Sequence, residues 1–268
     1  MIKIEDIDFS IEKICISGQC FRMHQIDENQ YTIIANHRAL TAYQKGSVVE
    51  LECSQTEFDN IWKEYFDLNE DYTRFAASVD EDDKYLISAI DSGRGIRILK
   101  QDLWEMIISF IISQQNNIKR IKKCIDVIAK NYGSKLEASY DKTLYDFPTP
   151  EELSMVTENE FRELGLGYRS RYIVETTKTI IESDFLEKIK EKNYNEAKEM
   201  LLSLTGVGVK VAECVCLFGL HHLQAFPVDT HIIQVIKNEY DNGFPFHKYL
   251  GFEGVMQQYI FYKDLHKK

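Results

Sequence analysis

Lys210 and Asp229 are the two residues whose types and settings are best suited to chemistry. Lys210 follows the glycine turn 205–208 and lies in the first turn of a predicted helix, 209–219, where the positive end of the helix dipole disfavours a protonated ammonium. Asp229 follows a Pro-Val pair and precedes the apolar-periodic run 232–236, which predicts a helix with Asp229 as its N-cap. A neutral amine is a nucleophile, and a carboxylate nearby can stabilise positive charge.

Each of these features also has an ordinary structural explanation. A Gly-x-Gly turn between helices is more often only a turn, a lysine in a first helical turn is usually solvated, and an N-cap aspartate is usually only a cap. The conjunction is what favours a function: a helix over 195–204, the glycine turn, Lys210, and Pro-Val-Asp ending nineteen positions beyond the lysine. Residues 195–236 therefore predict helix, turn, helix, loop and helix.

Length and composition predict a globular protein. The 268 residues suffice for one large domain or two packed ones, and 44% are hydrophobic with only four prolines. No run of about 18 apolar residues is present, so no membrane span is predicted, and residues 1–6 are not typical of a signal peptide. The six cysteines have neither metal-site spacing nor a disulfide-dense pattern. We therefore expect reduced thiols and a cytoplasmic location.

The charge is distributed unevenly along the chain. The net charge of −11 argues against a nucleic-acid partner, but residues 1–93 contain 8 Lys/Arg and 19 Asp/Glu, and the remainder is neutral. Residues 94–130 have a local excess of five positive charges. This modest excess of positive charge is suited to binding phosphate, and a solvated helix face explains it equally well.

The order of the predicted elements indicates an α+β fold. Short β-rich runs separated by polar turns occur at 30–35, 39–43 and 47–53, and residues 1–55 as a whole are strand-like. A helical, acidic stretch follows from 56 to about 91. We predict an N-terminal twisted antiparallel β-sheet domain with flanking helices, residues 1–92, packed on a mainly α-helical domain, residues 93–268.

The second domain begins with a predicted core helix. Asp102 and Glu105 have the spacing of a capping box, and the isoleucines that follow predict burial. A polar loop, 113–117, leads into a basic helix over 118–130. A connection at 164–172 contains two glycines together with aromatic and basic residues, which suits a loop that lies along a nucleic-acid backbone.

These features together resemble the helix-hairpin-helix DNA glycosylases, and within them the bifunctional 8-oxoguanine DNA glycosylases. The hairpin would be residues 195–219, with Lys210 at the position of the family's nucleophile and Asp229 at that of its assisting carboxylate. Thr205 stands where the family commonly has proline, and the four-cysteine cluster of some related glycosylases is absent. The resemblance implies phosphate binding by these residues: Gly206, Gly208, Val209 and His231.

The resemblance also implies a pocket for the damaged base. In the segment 17–22, Gly18 matches the glycine whose carbonyl accepts the N7 hydrogen that 8-oxoguanine has and guanine lacks. Gln257 and Phe261, four residues apart on the terminal helix predicted over 253–266, match a pair that binds the base edge and stacks on its face. Cys214 matches the residue on the opposite face of the base, and Phe218 is assigned to the same pocket.

A second set of residues is expected to contact the strand opposite the lesion. Gln115, where the family usually has asparagine, would fill the gap left by the extruded base. Arg120 and Arg169, with Tyr168 beside them, match residues that face the orphaned base. Cytosine presents the acceptors O2 and N3 to two guanidinium groups, whereas adenine would present its N6 donor, so cytosine is favoured.

The resulting hypothesis is a monomeric base-excision repair enzyme that acts on double-stranded DNA containing 8-oxoguanine opposite cytosine and also nicks the strand as a lyase. No cofactor is expected, and a monovalent cation at the hairpin is left open. One alternative is a monofunctional alkyl-base or adenine glycosylase of the same fold, against which Lys210 argues. Another is a non-catalytic DNA-binding hairpin protein, against which Asp229 and the Gln257/Phe261 pair argue.

Overall fold

The computed structural model describes residues 1–136 and 143–267. In that part of the chain, the larger sheet has five antiparallel strands in the order β1-β5-β4-β3-β2, and a second pair, β6 and β7, forms a small ribbon. The strands are β1 (Ile2–Glu5), β2 (Met23–Asp27), β3 (Gln30–Ala35), β4 (Arg38–Lys45), β5 (Val48–Leu51), β6 (Lys135–Leu136) and β7 (Leu144–Tyr145). The predicted antiparallel sheet is confirmed, and β1 and β2 complete it.

The prediction that residues 1–55 are strand-like throughout is wrong at one place, because helix α1 (Ile11–Ile16) interrupts the strands. Ser10 caps this helix by accepting a hydrogen bond from the backbone N–H of Lys13. Its apolar residues at helical spacing are buried against the sheet. The sheet therefore presents the segment 17–22 at the end of a helix that packs on it, rather than on a strand.

The acidic stretch after the sheet is helical, as predicted. It contains α2 (Gln55–Glu57), a π-helical turn (Phe58–Trp62), α3 (Lys63–Tyr65), α4 (Thr73–Ala77) and α5 (Lys84–Gly93). The buried side chains Leu86 and Ala89 of α5 belong to the same hydrophobic core as the helices that follow. The division into domains at residue 92 stays a prediction.

The rest of the described chain is mainly helical. Its elements are α6 (Leu103–Ser113), α7 (Ile118–Tyr132), α8 (Pro150–Ser154), α9 (Glu158–Glu163), α10 (Arg169–Ser183), α11 (Phe185–Lys190), α12 (Tyr194–Leu202), α13 (Val209–Phe218), α14 (Thr230–Glu239), a 3₁₀ turn (Phe246–Lys248) and α15 (Glu253–Leu265). This confirms the predicted fold class. Within the described residues, no helix combines the length and apolar character that crossing a membrane requires.

Two local predictions need correction. Asp102 accepts a hydrogen bond from the Glu105 N–H at 2.8 Å, but the Glu105 side chain does not complete a capping box. It lies instead 3.8 Å from the guanidinium of Arg22, and burial raises the pKa of the Glu105 carboxyl to about 7. The predicted connection 164–172 is a loop only as far as Tyr168, since Arg169 begins α10.

Candidate active site

One cavity brings together residues from both ends of the chain. It is bounded by every residue assigned from the sequence to catalysis or to the lesion pocket: Gly18, Lys210, Cys214, Phe218, Asp229, Gln257 and Phe261. The same cavity is also bounded by four residues that the sequence did not single out: Ser17, Phe110, Pro227 and Gln258. We call this cavity the lesion pocket.

Lys210 reaches the lesion pocket from the first turn of α13. Gly208 is the N-cap of this helix, so the lysine follows the hairpin turn directly. Its Nζ lies 5.2 Å from the centre of the Phe110 ring, which is stacked on Phe218 at a centroid distance of 5.6 Å. One turn further along α13, Cys214 is buried; burial raises the pKa of its thiol, and the nearby Lys210 side chain offsets part of that rise. The amine thus lies over the Phe110 ring at the wall of the pocket.

Asp229 enters from the loop between α13 and α14. Its Oδ1 accepts a hydrogen bond from the Ile232 N–H at 2.9 Å, so it caps α14 as predicted. The loop before it is anchored by buried groups: the Phe226 N–H donates to Glu213 Oε2 at 3.0 Å, and the Pro227 carbonyl accepts from Gln257 Nε2 at 3.0 Å. The carboxylate is therefore positioned by both its own helix and α15.

Gly18 and Phe261 meet at the opposite wall. Gly18 has φ +79°, in the left-handed region that favours glycine, and a Cβ there would lie 2.9 Å from Phe261 Cε1. No hydrogen bond to the Gly18 carbonyl is made by any residue in the described ranges. This acceptor is therefore available to a ligand beside the phenylalanine ring.

Gln257 contributes a second available acceptor. Its Nε2 is used by the Pro227 carbonyl, whereas its Oε1 is buried and has no hydrogen-bond partner within the described residues. A buried acceptor without a partner costs free energy, of the order of 1–3 kcal/mol. A base with N–H donors on its edge would satisfy it.

The hairpin turn presents backbone groups to the outside. Gly206 has φ +80°, and a Cβ there would collide with the Tyr172 ring, so folding itself requires this glycine. A Cβ at Gly208 would meet nothing within 4 Å, and Val209 is 60% exposed. The first N–H groups of α13 have no acceptor in the helix, and such groups bind anions. Packing therefore does not require a glycine at 208, and a side chain there would project into open space beside these N–H groups.

His231 lies in the first turn of α14. Its Nδ1 is 2.7 Å from Asp264 Oδ2, and its ring packs edge-on against Phe261 with centroids 5.6 Å apart. Asp264, on the same helix face as Gln257 and Phe261 as predicted, therefore orients the histidine. The rings of His231 and Phe261 therefore connect the lesion pocket to the protein surface.

The residues expected to contact the opposite strand form a separate surface, which we call the opposite-base surface: Gln115, Arg120, Tyr168 and Arg169. Arg169 is only 5% exposed. Its guanidinium donates to the carbonyls of Leu166, Gln114 and Gln115, and it stacks on the Tyr168 ring at 4.6 Å. Arg120 is exposed and makes one bond, from Nη2 to the Gly165 carbonyl at 3.3 Å.

The structure divides the basic residues of 94–130 into two groups. Four of them are paired with other groups of the protein: Arg94 with Asp8, Arg97 with Asp6 and backbone carbonyls, Lys100 with Glu64 and Asp67, and Lys122 with the carbonyls of Cys15 and Met23. The other four are exposed and lie on α7: Lys119, Arg120, Lys123 and Lys130. Fewer positive charges are therefore available to bind phosphate than the local excess of five in residues 94–130 indicates.

Sequence reasoning missed Phe110 and Gln258. Phe110 lies on helix α6, which is buried along nearly its whole length, so no pattern separates a pocket residue from a core residue. Gln258 is a buried polar residue adjacent to Gln257, and a polar side chain on a helix face that packs inward was the signal that could have identified it.

A metal site and a cation at the hairpin place different requirements on the described residues. Among the described residues, no group of three or more His, Cys, Asp and Glu side chains could hold a metal ion. At the hairpin, the carbonyls of Leu204, Thr205 and Gly206 already accept hydrogen bonds from Val207, Thr176 and Gln114.

Two protein-family models match the chain. Residues 1–107 match the 8-oxoguanine DNA glycosylase N-terminal domain. Residues 108–241 match the HhH-GPD superfamily of base excision DNA repair proteins, and this match contains the hairpin, Lys210 and Asp229.

Individual relatives agree with these models. The N-glycosylase/DNA lyase of Saccharomyces cerevisiae is 42% identical over 161 residues, which is 56% of this chain and 43% of that protein. The N-glycosylase/DNA lyase OGG1 of Arabidopsis thaliana is 39% identical over 150 residues, 54% of this chain and 41% of that protein. The match thus spans less than half the length of these curated relatives.

A solved structure matches over nearly its whole length. The Clostridium acetobutylicum 8-oxoguanine glycosylase/lyase, in complex with double-stranded DNA containing cytosine opposite 8-oxoG, superposes with a TM-score of 0.90 at 36% identity. The superposition covers 97% of this chain and 96% of that one.

Proposed function

The chain belongs to the HhH-GPD superfamily of base excision DNA repair proteins and has the N-terminal domain of the 8-oxoguanine DNA glycosylases, and from this premise we propose that it excises 8-oxoguanine opposite cytosine from duplex DNA and then nicks the strand. The observation that carries the proposal is the lesion pocket. It unites Lys210, Asp229 and the acceptors of Gly18 and Gln257, which lie at opposite ends of the sequence.

The damaged nucleotide must leave the helix before it reaches Lys210. Attack at C1′ is impossible inside a stacked duplex, and extruding the base costs a few kcal/mol. In the proposal, the hairpin N–H groups hold a phosphate, and Gln115, exposed at the tip of its turn with φ +46°, fills the vacated space. DNA is also the ligand in the solved Clostridium acetobutylicum complex.

Lys210 and Asp229 then carry out the chemistry. The neutral amine attacks C1′, and the N-glycosidic bond breaks with its electron pair leaving on the base, which takes up a proton. The carboxylate of Asp229 stabilises the positive charge that develops on the sugar. The sugar ring opens to a Schiff base, loss of a C2′ proton expels the 3′ phosphate, and hydrolysis releases the enzyme. No cofactor is needed.

The lesion pocket supports recognition of the base. The Gly18 carbonyl accepts from the N7–H of 8-oxoguanine and cannot donate to the bare N7 of guanine. Gln257 Oε1 accepts from the N–H groups of the Watson–Crick edge, and Phe261 and Cys214 cover the two faces of the ring. Since Phe261 now lies against Gly18, its ring moves aside as the base enters.

Arg120 and Arg169 read the base left behind in the other strand. Their donors suit the two acceptors of cytosine, with Tyr168 supporting Arg169 from one side. We further propose that the protein works as a monomer. We also propose a location in the cytoplasm, near the nucleoid if the source is bacterial, because the six cysteines are free thiols.

Borohydride trapping tests the proposal. The protein is incubated with duplexes that differ only in carrying 8-oxoguanine or guanine opposite cytosine, and borohydride is added to reduce any Schiff base to a stable covalent adduct. We expect an adduct and a strand nick with 8-oxoguanine and neither with guanine. Base release without adduct or nick would indicate a monofunctional glycosylase, and binding without base release would indicate a DNA-binding protein; either result contradicts the proposal.

A further inference from the structure

Two neighbouring glutamines on α15 have different partners. Gln257 bounds the lesion pocket with its free Oε1, as described above. Gln258 is 2% exposed, and its Nε2 donates to the carbonyl of Ser17 at 2.8 Å. This bond joins residues 241 positions apart in the sequence and ties the terminal helix to the segment that contains Gly18.

The bond acts on the peptide next to Gly18. Ser17 C=O and Gly18 N–H belong to one rigid plane, so holding the Ser17 carbonyl fixes the orientation of that plane. On the other side of Gly18, the Gln19 carbonyl accepts from Gln101 Nε2 at 2.9 Å, and Gln19 Nε2 donates to the Arg97 carbonyl at 2.9 Å. The segment is therefore anchored on both sides of the glycine.

Between these anchors, the peptide that carries the Gly18 carbonyl makes no hydrogen bond to the described part of the chain. Glycine is the residue with the greatest backbone freedom, so its carbonyl direction depends on what holds the neighbouring peptides. Gln258 is the anchor that comes from the lesion pocket itself, because it bounds that cavity together with Ser17 and Gly18.

We propose that Gln258 is a positioning residue for lesion recognition: by holding the Ser17 carbonyl, its amide directs the Gly18 carbonyl toward the N7–H of 8-oxoguanine. This inference rests on the proposed function. Gln258 does not touch the reacting atoms. Its loss should therefore weaken recognition of the oxidised base and leave untouched the step in which Lys210 reacts with an abasic sugar.

The first test replaces Gln258→Met, which removes the donor at nearly equal volume. We expect single-turnover excision of 8-oxoguanine to fall by about 10- to 100-fold, the consequence of losing one buried hydrogen bond that positions a reading group. Borohydride trapping on a preformed abasic site should stay within about twofold of the unmodified protein, a change worth only a few tenths of a kcal/mol.

Gln44→Met is the matched control. Gln44 is a buried glutamine of the sheet, and its amide bonds the Gly46 carbonyl and the Glu12 N–H away from the lesion pocket. Its replacement should lower excision and trapping in equal proportion, if at all. If Gln258→Met lowers excision and trapping equally, in proportion to a fall in its melting temperature, Gln258 serves folding alone and the proposal is overturned. Unchanged excision by Gln258→Met would also overturn the proposal.

A second variant covers the case in which the methionine protein does not fold. Gln258→Glu keeps the side-chain shape but places a carboxylate against the Ser17 carbonyl, and only its protonated form can donate. Excision relative to the unmodified protein should rise as pH falls, while abasic-site trapping keeps the same relative rate. Parallel pH profiles in the excision assay would contradict the proposal. Absence of trapping by the unmodified protein would instead refute the proposed function.

Discussion

The lesion pocket and the opposite-base surface differ in the state of their hydrogen-bonding groups. In the lesion pocket, the Gly18 carbonyl and Gln257 Oε1 have no partner within the described residues, and they are held by a buried framework. On the opposite-base surface, the Arg169 donors are already bonded to three backbone carbonyls. In the lesion pocket a ligand would form new hydrogen bonds. On the opposite-base surface a ligand must replace hydrogen bonds that Arg169 already makes.

This difference has an energetic consequence. The cost of removing the lesion-pocket acceptors from water is already incurred when the protein folds. Most of the free energy of the hydrogen bonds that an entering base makes to these acceptors therefore contributes to its binding. A cytosine that engages Arg169 must first displace the carbonyls of Gln114 and Gln115, and only the difference between the two sets of bonds contributes. We therefore expect larger effects from variants in the lesion pocket than from those on the opposite-base surface.

The largest expected effect comes from Lys210→Ala. The amine is the proposed nucleophile, so excision and borohydride trapping should both be lost, whereas DNA binding, which depends on the hairpin N–H groups, should remain. Trapping assays and a binding titration on the same lesion duplex measure the two. Lys178→Ala, which removes an exposed lysine paired with Glu182, is the control and should behave like the unmodified protein. Full excision by the Lys210 variant would disprove the assignment.

Asp229→Asn should have the next largest effect. Asparagine retains the cap to the Ile232 N–H, so melting temperature should change little, but the charge that we propose stabilises the sugar cation is lost. We expect excision to slow by roughly 100-fold or more with binding retained. An unchanged single-turnover rate together with a lower melting temperature would leave Asp229 as a helix cap only.

Gly18→Ala tests the lesion side of the comparison directly. The added methyl faces Phe261 at a backbone conformation unfavourable to alanine, so the carbonyl and the ring both shift. Excision of 8-oxoguanine should fall by about 10- to 100-fold, while trapping on an abasic site, which needs Lys210 but no base recognition, stays near normal. If both activities fall together, Gly18 serves the folding of this segment and not the reading of the base.

Arg120→Ala tests the opposite-base surface where the donors are least engaged. The side chain is exposed and makes one long bond, so stability should hardly change. Discrimination for cytosine over adenine, taken from the ratio of excision rates on the two duplexes, should fall by about 1–3 kcal/mol. Equal weakening for all four opposite bases would identify Arg120 as a phosphate contact.

Arg169→Ala should reduce discrimination least, near the lower end of that range at about 1 kcal/mol, because its donors are already satisfied. It should lower the melting temperature, since the turn at 114–115 loses its donors. Arg171→Ala, on the same helix but paired with Glu175 at the surface, is the matched control. A larger loss of discrimination for Arg169 than for Arg120 would break the comparison between free and engaged groups.

The sequence by itself determined the elements whose causes are local. The glycine turn at 205–208, the helices that begin at Val209 and Thr230, and the strand Gln30–Ala35 follow from caps, turns and periodicity within a few residues. The helix Ile11–Ile16 was missed because short apolar runs suit a strand or a helix equally, and the Ser10 cap decides between them. The capping box at Glu105 was predicted from the spacing of Asp102 and Glu105 alone, and this prediction is wrong. Burial beside Arg22 determines where the Glu105 carboxyl lies.

Tertiary structure alone decided what meets in the lesion pocket. The contact between Gly18 and Phe261, the bond from Gln258 to Ser17, and the place of Phe110 beneath Lys210 join segments that no local pattern relates. The same holds for Arg169, whose type suggests a free donor but whose surroundings supply three carbonyls. Side-chain type is a local property, whereas burial and partner choice depend on chain segments brought together only by packing of the whole fold.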